Sequence, residues 1–194
     1  ARVTTFVLAT HNAHKVGELR RILGERLGPH ELIGYDGPEP VEDGDTFEAN
    51  ALIKARAANA HTGQPAIADD SGISVRALGG APGIHSARYA GTRSDVDNYT
   101  LLLENLKGEA DRAAEFVCAA ALVDGDREIV VRGVWPGEVL EAPSGAHGFG
   151  YDPVFKPEGV ATSSAELTPD EKNAISHRAR AFGQLVEELR RIYG

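Results

Sequence analysis

Two adjacent carboxylates, Asp69 and Asp70, stand in the segment Ala68-Asp69-Asp70-Ser71-Gly72. Adjacent like charges raise each other's cost, so such a pair seldom serves stability alone. One carboxylate can hold a hard divalent cation while the other polarises a water. Pro65 to Ala68 reads as a short strand that ends on the pair, and Gly72 permits a sharp turn to present it. The same residues also suit an Asx-turn that merely closes a strand.

A second constellation is Thr10-His11-Asn12-Ala13-His14-Lys15, where a strand passes into a helix. A helix N-terminus offers unpaired backbone N–H groups and the positive end of the dipole. Thr10 and Asn12 add short polar side chains and Lys15 adds a full charge, so the segment makes a coherent triphosphate cradle. It lacks the glycine spacing of a P-loop, and Thr or Asn before a helix also serves as a simple N-cap. The acidic loop Glu39, Glu42, Asp43, Asp45 and Glu48 either supplies further Mg²⁺ ligands or forms a solvated face. Spacing alone does not pick the ligand, and the helix dipole explains Glu48 adequately.

Two further segments suit a nucleobase. In Gly148-Phe149-Gly150-Tyr151-Asp152-Pro153, aromatics in a glycine-rich loop can stack on a base and the acid can accept from a ring N–H. They equally suit a structural loop with core-filling aromatics. Lys172 with Ser176-His177-Arg178 forms a cluster of donors. Donors suit a purine with a carbonyl at C6 and leave a C6 amino group unmatched, which discriminates strongly in a buried site. Solvent-facing charges on a first helical turn are the plainer reading. The 7 histidines are scattered, and His11 with His14 has no convincing third ligand, so zinc is not expected.

The elements that must position these residues follow from periodicity. Val3 to Ala9 reads as a buried strand. A helix follows with Val16, Leu19, Leu23 and Leu27 on one face. Thr46 opens an Ala-rich helix to about Asn59 as its N-cap, and Asp95 to Leu106 reads as another helix. Ala114 to Val123 and Arg127 to Val134 form a hairpin across Asp124-Gly125-Asp126. A single closing helix is expected from about Asn173 to Ile192. The order predicts an α/β protein with a mixed sheet.

The chain has 194 residues, 42% apolar and 25% charged, which fits one folded domain or two packed lobes over residues 1–194. No apolar run approaches the roughly 18–20 residues of a membrane span, and no signal-peptide pattern opens the chain. The net charge of −9 argues against nucleic acid as a partner. The one cysteine, Cys118, lies in an apolar run and reads as core, so the protein is expected in the cytoplasm.

Taken in order, six segments resemble the inosine triphosphate pyrophosphatase family, the house-cleaning dITP/XTP pyrophosphatases. They are Leu8 to Lys15, Thr46 to Ala55, Ile67 to Gly72, Leu78 to Tyr89, Gly148 to Pro153 and Ser176 to Arg178, and they span nearly the whole chain. The resemblance implies an elongated mixed central sheet with helices, two lobes flanking a substrate cleft, and usually a homodimer. It implies Mg²⁺-dependent hydrolysis of ITP, dITP and XTP to the monophosphate and pyrophosphate. By carry-over, Thr10, His11, Asn12, Ala13, His14 and Lys15 hold the phosphates, and Lys54 faces them. Asp70 is proton acceptor and metal ligand, Asp69 supports it, Ser71 contacts substrate, and Glu42 is the second metal carboxylate. Phe149, Gly150, Tyr151, Asp152, Lys172, His177 and Arg178 hold the base. His11 stands where the family often has Gly. The loop before Thr46 varies, so Glu39 and Asp43 compete with Glu42. The alternatives are a pyrophosphatase of other modified nucleotides and a purine-nucleotide-binding module that does not hydrolyse.

Overall fold

The computed structural model describes residues 2–194. Its elements run β1 (Thr5–Leu8), α1 (Ala13–Leu23), β2 (Glu31–Ile33), α2 (Phe47–Thr62), β3 (Ala66–Val75), α3 (Asp95–Asn105), β4 (Ala113–Asp124), β5 (Arg127–Val139), β6 (Phe155–Pro157), α4 (Pro169–Ile175) and α5 (His177–Tyr193), with short 3₁₀ turns between some of them. The sheet order is β2-β1-β3-β4-β5-β6. Strand β1 runs parallel to β2 and β3, whereas β6 runs antiparallel to β5, so the sheet is mixed, as expected of an α/β chain. Among the described residues, no helix is long and apolar enough to cross a membrane.

The chain divides into two compact units. One comprises the chain up to Asp70, Cys118–Gly133 and Arg178–Gly194; the other comprises Ser71–Val117 and Val134–His177. In the first, Phe6, Leu8, Ile67, Cys118, Ala120 and Leu122 pack against Leu19 and Leu23 of α1 and Phe182, Leu185 and Leu189 of α5. Side chains alternate across a strand, so Val7, Ala66 and Ala68 point the other way. Helix α2 lies against β1 and buries the small residues Ala51, Ala55 and Ala58. The second unit has its own core, built on Ile73, Leu102, Phe116, Trp135, Tyr151 and Phe155.

Three expectations change. Strand β3 does not stop at Ala68; it continues through both aspartates to Val75, with Gly72 buried inside it rather than forming a turn. Apolar Ile73 and Val75 give the strand a second buried stretch, which outweighs the turn propensity of Asp-Asp-Ser-Gly. The closing helix is two helices. Ser176 is extended, with φ −68° and ψ 167°, and separates α4 from α5. Helix α4 starts earlier than expected because Thr168 and Glu171 form a capping box. The three-residue β2 carries no periodicity long enough to mark it in sequence. Thr46 does cap α2, accepting from Ala49 N–H at 3.0 Å.

Candidate active site

The strand that carries Asp69 and Asp70 places neighbouring side chains on opposite faces of the sheet. Asp69 therefore shares the α1 and α5 face with Ile67, and Asp70 shares the α2 face with Ala68. This gives two sequence neighbours different surroundings.

Asp69 is 2% exposed. Lys15 Nζ lies 3.5 Å from its Oδ1 and Arg178 Nε lies 3.4 Å from its Oδ2. The Cys118 thiol also donates to Oδ2, at 3.7 Å. Glu18 Oε1 holds the same guanidinium from behind, 3.1 Å from Arg178 Nη1. Burial would raise the Asp69 carboxyl, but Lys15, Arg178 and Lys54 outweigh it and hold it at about 2. Burial pulls the Lys15 ammonium below the usual lysine range, and Asp69 only partly offsets it. Cys118 is the buried core residue expected, and burial pushes its thiol well up.

Asp70 has a weaker set of partners. Lys54 Nζ lies 3.7 Å from its Oδ1, while Oδ2 is buried with no hydrogen-bond partner. Burial lifts the Asp70 carboxyl to about 6, against the pull of Lys54 and Lys15. Lys54 Nζ also lies 3.2 Å from Glu42 Oε1. Burial disfavours the Lys54 charge, but Asp69, Asp70 and Glu42 together push its affinity for the proton above the usual range.

The acidic loop is tied to the first unit at several points. Glu39 Oε1 pairs with His11 Nδ1 at 2.9 Å, so His11 reaches the loop from the start of α1. Gly44 N–H donates to Asn50 Oδ1 at 2.8 Å, and a Cβ on Gly44 would approach that oxygen to 2.7 Å. Glu48, in the first turn of α2, meets Arg132 at 3.6 Å. Glu42 is thus the loop acid that meets Lys54 beside Asp70. The Thr10–Lys15 segment forms a cap: Asn12 Oδ1 accepts from His14 N–H and Lys15 N–H. An open pocket of about 510 Å³ lies there, lined by Thr10, His11 and Ala13 on one side and Tyr35 and Asp36 on the other.

The donor set can be tested for a metal. Glu42 and Asp70 both approach the single Lys54 ammonium, and Asp70 Oδ2 lacks a donor. Such oxygen donors fit a hard divalent cation. Among the described residues, no group of three or more His, Cys, Asp or Glu is arranged to hold a metal. A hard cation that keeps much of its hydration shell needs few protein carboxylates, and Glu42 and Asp70 are the two that converge here.

The second unit assembles another cluster. Lys172 Nζ lies 2.7 Å from Asp152 Oδ2, and both residues are buried. The same ammonium sits 4.8 Å from the centroid of the half-buried Phe149 ring. The His177 ring stacks on Phe116 at 4.7 Å and on Trp135 at 6.0 Å. Tyr151 fills the core, its hydroxyl donating to Ser86 O at 2.7 Å. Gly150 N–H donates to Asp95 Oδ2 at 2.9 Å. Ser71 is half-buried at the start of this unit's part of β3. Arg178, grouped with Lys172 and His177 in the sequence, is placed on Asp69 and Glu18.

Glu18, which holds Arg178 against Asp69, belongs to none of the motifs. It falls three residues after Lys15 on the same helix face, and that spacing was the available signal.

A family model described as the Ham1 family matches residues 6–188. A dITP/XTP pyrophosphatase of Leifsonia xyli is 55% identical over 95% of this chain and 94% of its own. The solved structure of a HAM1 protein from Coxiella burnetii has a TM-score of 0.89 and 41% identity, covering 97% of this chain and 100% of that one. A solved nucleoside-triphosphatase / dITP/XTP pyrophosphatase from Mycobacterium abscessus has a TM-score of 0.76 and 44% identity, covering 94% and 98%.

Proposed function

This chain belongs to the Ham1 family, and from that premise we propose that it hydrolyses non-standard purine nucleoside triphosphates, ITP, dITP and XTP, to the monophosphate and pyrophosphate. The observation that carries the chemistry is Asp70: a half-buried carboxyl lifted to about 6, with one oxygen unpartnered, beside a lysine shared with Glu42. A base works best when its proton affinity lies near the working pH.

In this reading Thr10 to Lys15, at the positive end of α1, hold the phosphates, and Lys54 faces them. Asp70 orients a water and takes its proton as the oxygen attacks the α-phosphorus. The bond from that phosphorus to the bridging oxygen breaks, and pyrophosphate leaves with the electron pair. Lys15 offsets the charge that develops on the leaving group. Asp69 stays ionised, held by Lys15 and Arg178, and keeps the cationic groups in place. Glu42 and Asp70 would hold Mg²⁺, which when bound neutralises phosphate oxygens. Ser71 contacts the substrate.

Lys172 and His177 offer donors to a 6-oxopurine, with Phe149, Gly150, Tyr151 and Asp152 shaping the base site. Arg178 acts through Asp69. An acidic chain with one buried cysteine suits a cytoplasmic enzyme with no nucleic-acid or membrane partner, and the family resemblance supports a homodimer. The test is a panel of ITP, dITP, XTP, ATP and GTP with Mg²⁺. The 6-oxopurine triphosphates ITP, dITP and XTP should turn over far faster than ATP; equal or better turnover of ATP defeats the reading.

A further inference from the structure

Ser164 belongs to none of the motifs, yet it sits against the buried ion pair of the second unit. It is fully buried in the 3₁₀ turn Ser164–Glu166. Its hydroxyl lies 2.8 Å from Asp152 Oδ1 and 3.2 Å from Asp152 O. A hydroxyl has one proton, and the shorter, charge-assisted contact to Oδ1 is the stronger. The other oxygen, Asp152 Oδ2, accepts from Lys172 Nζ at 2.7 Å and from Phe149 N–H at 3.0 Å. Gly148 leaves room for this arrangement, because a Cβ there would come 2.2 Å from Asp152 Oδ2.

We propose that Ser164 is a positioning residue for base selection, acting through Asp152 on Lys172. A carboxylate held at one oxygen can still rotate. With Ser164 on Oδ1, the plane is fixed, and Oδ2 is directed at once to the Lys172 ammonium and the Phe149 amide. The ammonium is thereby set over the Phe149 ring. Without the hydroxyl, Asp152 Oδ1 becomes a buried acceptor without this donor. The carboxylate then turns toward Lys172 with both oxygens and draws the ammonium from its place. Base selection weakens while the chemistry at Asp70 is untouched.

The inference rests on the reading in which Lys172 donates to the base. It is tested with Ser164→Ala, Lys172→Gln and the double variant, by kcat and KM for ITP and ATP. Ser164→Ala should lower the ITP-to-ATP ratio of kcat/KM by roughly five-fold, the scale of one buried hydrogen bond. The loss should fall in KM for ITP, with kcat held. Adding Ser164→Ala to Lys172→Gln should lower the ratio no further. A Ser164→Ala protein that melts earlier but keeps its ratio makes Ser164 merely structural and overturns the proposal. Additive losses in the double variant overturn the route through Lys172. If Lys172→Gln alone leaves the ratio unchanged, the base reading fails and this proposal falls with it.

Discussion

Asp69 and Asp70 are consecutive on one strand, yet the carboxyl of the first is held at about 2 and that of the second is lifted to about 6. Strand alternation is the cause. Asp69 enters the α1 and α5 face, where Lys15 and Arg178 meet it. Asp70 enters the α2 face, where Lys54 is divided between it and Glu42. One acid anchors cations and the other is left with an affinity for a proton near neutrality. Two groups pushed apart in this way have different proton chemistry open to them.

Asp70 should cost stability at neutral pH. The folded protein binds its proton more tightly than the unfolded chain, so its stabilising contribution is present below about pH 4 and is lost as pH rises through about 6. With chelator present, Asp70→Asn should raise the unfolding free energy at about pH 7.5 by on the order of 1–3 kcal/mol, and give little gain at about pH 4. Urea titrations at the two pH values measure this. An equal change at both would refute the assignment.

Asp69 should behave in the opposite sense. Its depressed carboxyl contributes stability that is present above about pH 4 and lost as pH falls through about 2. Asp69→Asn also takes a counter-ion from the half-buried Lys15 and from the buried Arg178, which keeps Glu18. The variant should lose about 3–5 kcal/mol at neutral pH, and the gap from the parent should narrow toward about pH 2.5. Guanidinium unfolding reads both; a gap that widens in acid contradicts the pairing.

The pH profile of kcat/KM should show an acid limb, because Asp70 must be ionised to take a proton. Lys54→Gln removes an ammonium that pulls the Asp70 carboxyl down, so the limb should move to higher pH. A limb that stays put or moves toward acid separates Lys54 from Asp70.

Cys118 should be unreactive in the folded protein. Burial pushes its thiol well up, and its Sγ faces Asp69 Oδ2. A thiol reagent should label it only after denaturation, and rapid labelling of the native protein would place it elsewhere.

Much of the fold was legible because its signals are periodic. The helices after Thr10 and Thr46 and the β4–β5 hairpin followed from apolar spacing, a cap and the turn signal at Asp124-Gly125-Asp126, of which Asp124 closes β4. The path of β3 was not, because Asp-Asp-Ser-Gly reads locally as a turn, whereas its place between β1 and β4 and the burial of Ile73 and Val75 favour an extended strand. The break at Ser176 was hidden inside a continuous helical pattern. The Asp pair and the loop acids stood out as chemistry, but spacing could not rank Glu42, Glu39 and Asp43. Lys54 meets Glu42 and His11 meets Glu39, and those are contacts between segments distant in sequence. Glu18 was signalled only by its spacing from Lys15, and Ser164 by nothing, because their partners lie 160 and 12 positions away.

The most direct test is hydrolysis of dITP in ¹⁸O-labelled water with Mg²⁺, with both products read by mass spectrometry. Attack of an Asp70-oriented water on the α-phosphorus should put one ¹⁸O in the monophosphate and leave pyrophosphate unlabelled, and Asp70→Asn should abolish both products. Label in pyrophosphate, stepwise release of orthophosphate, or undiminished turnover by Asp70→Asn would contradict it.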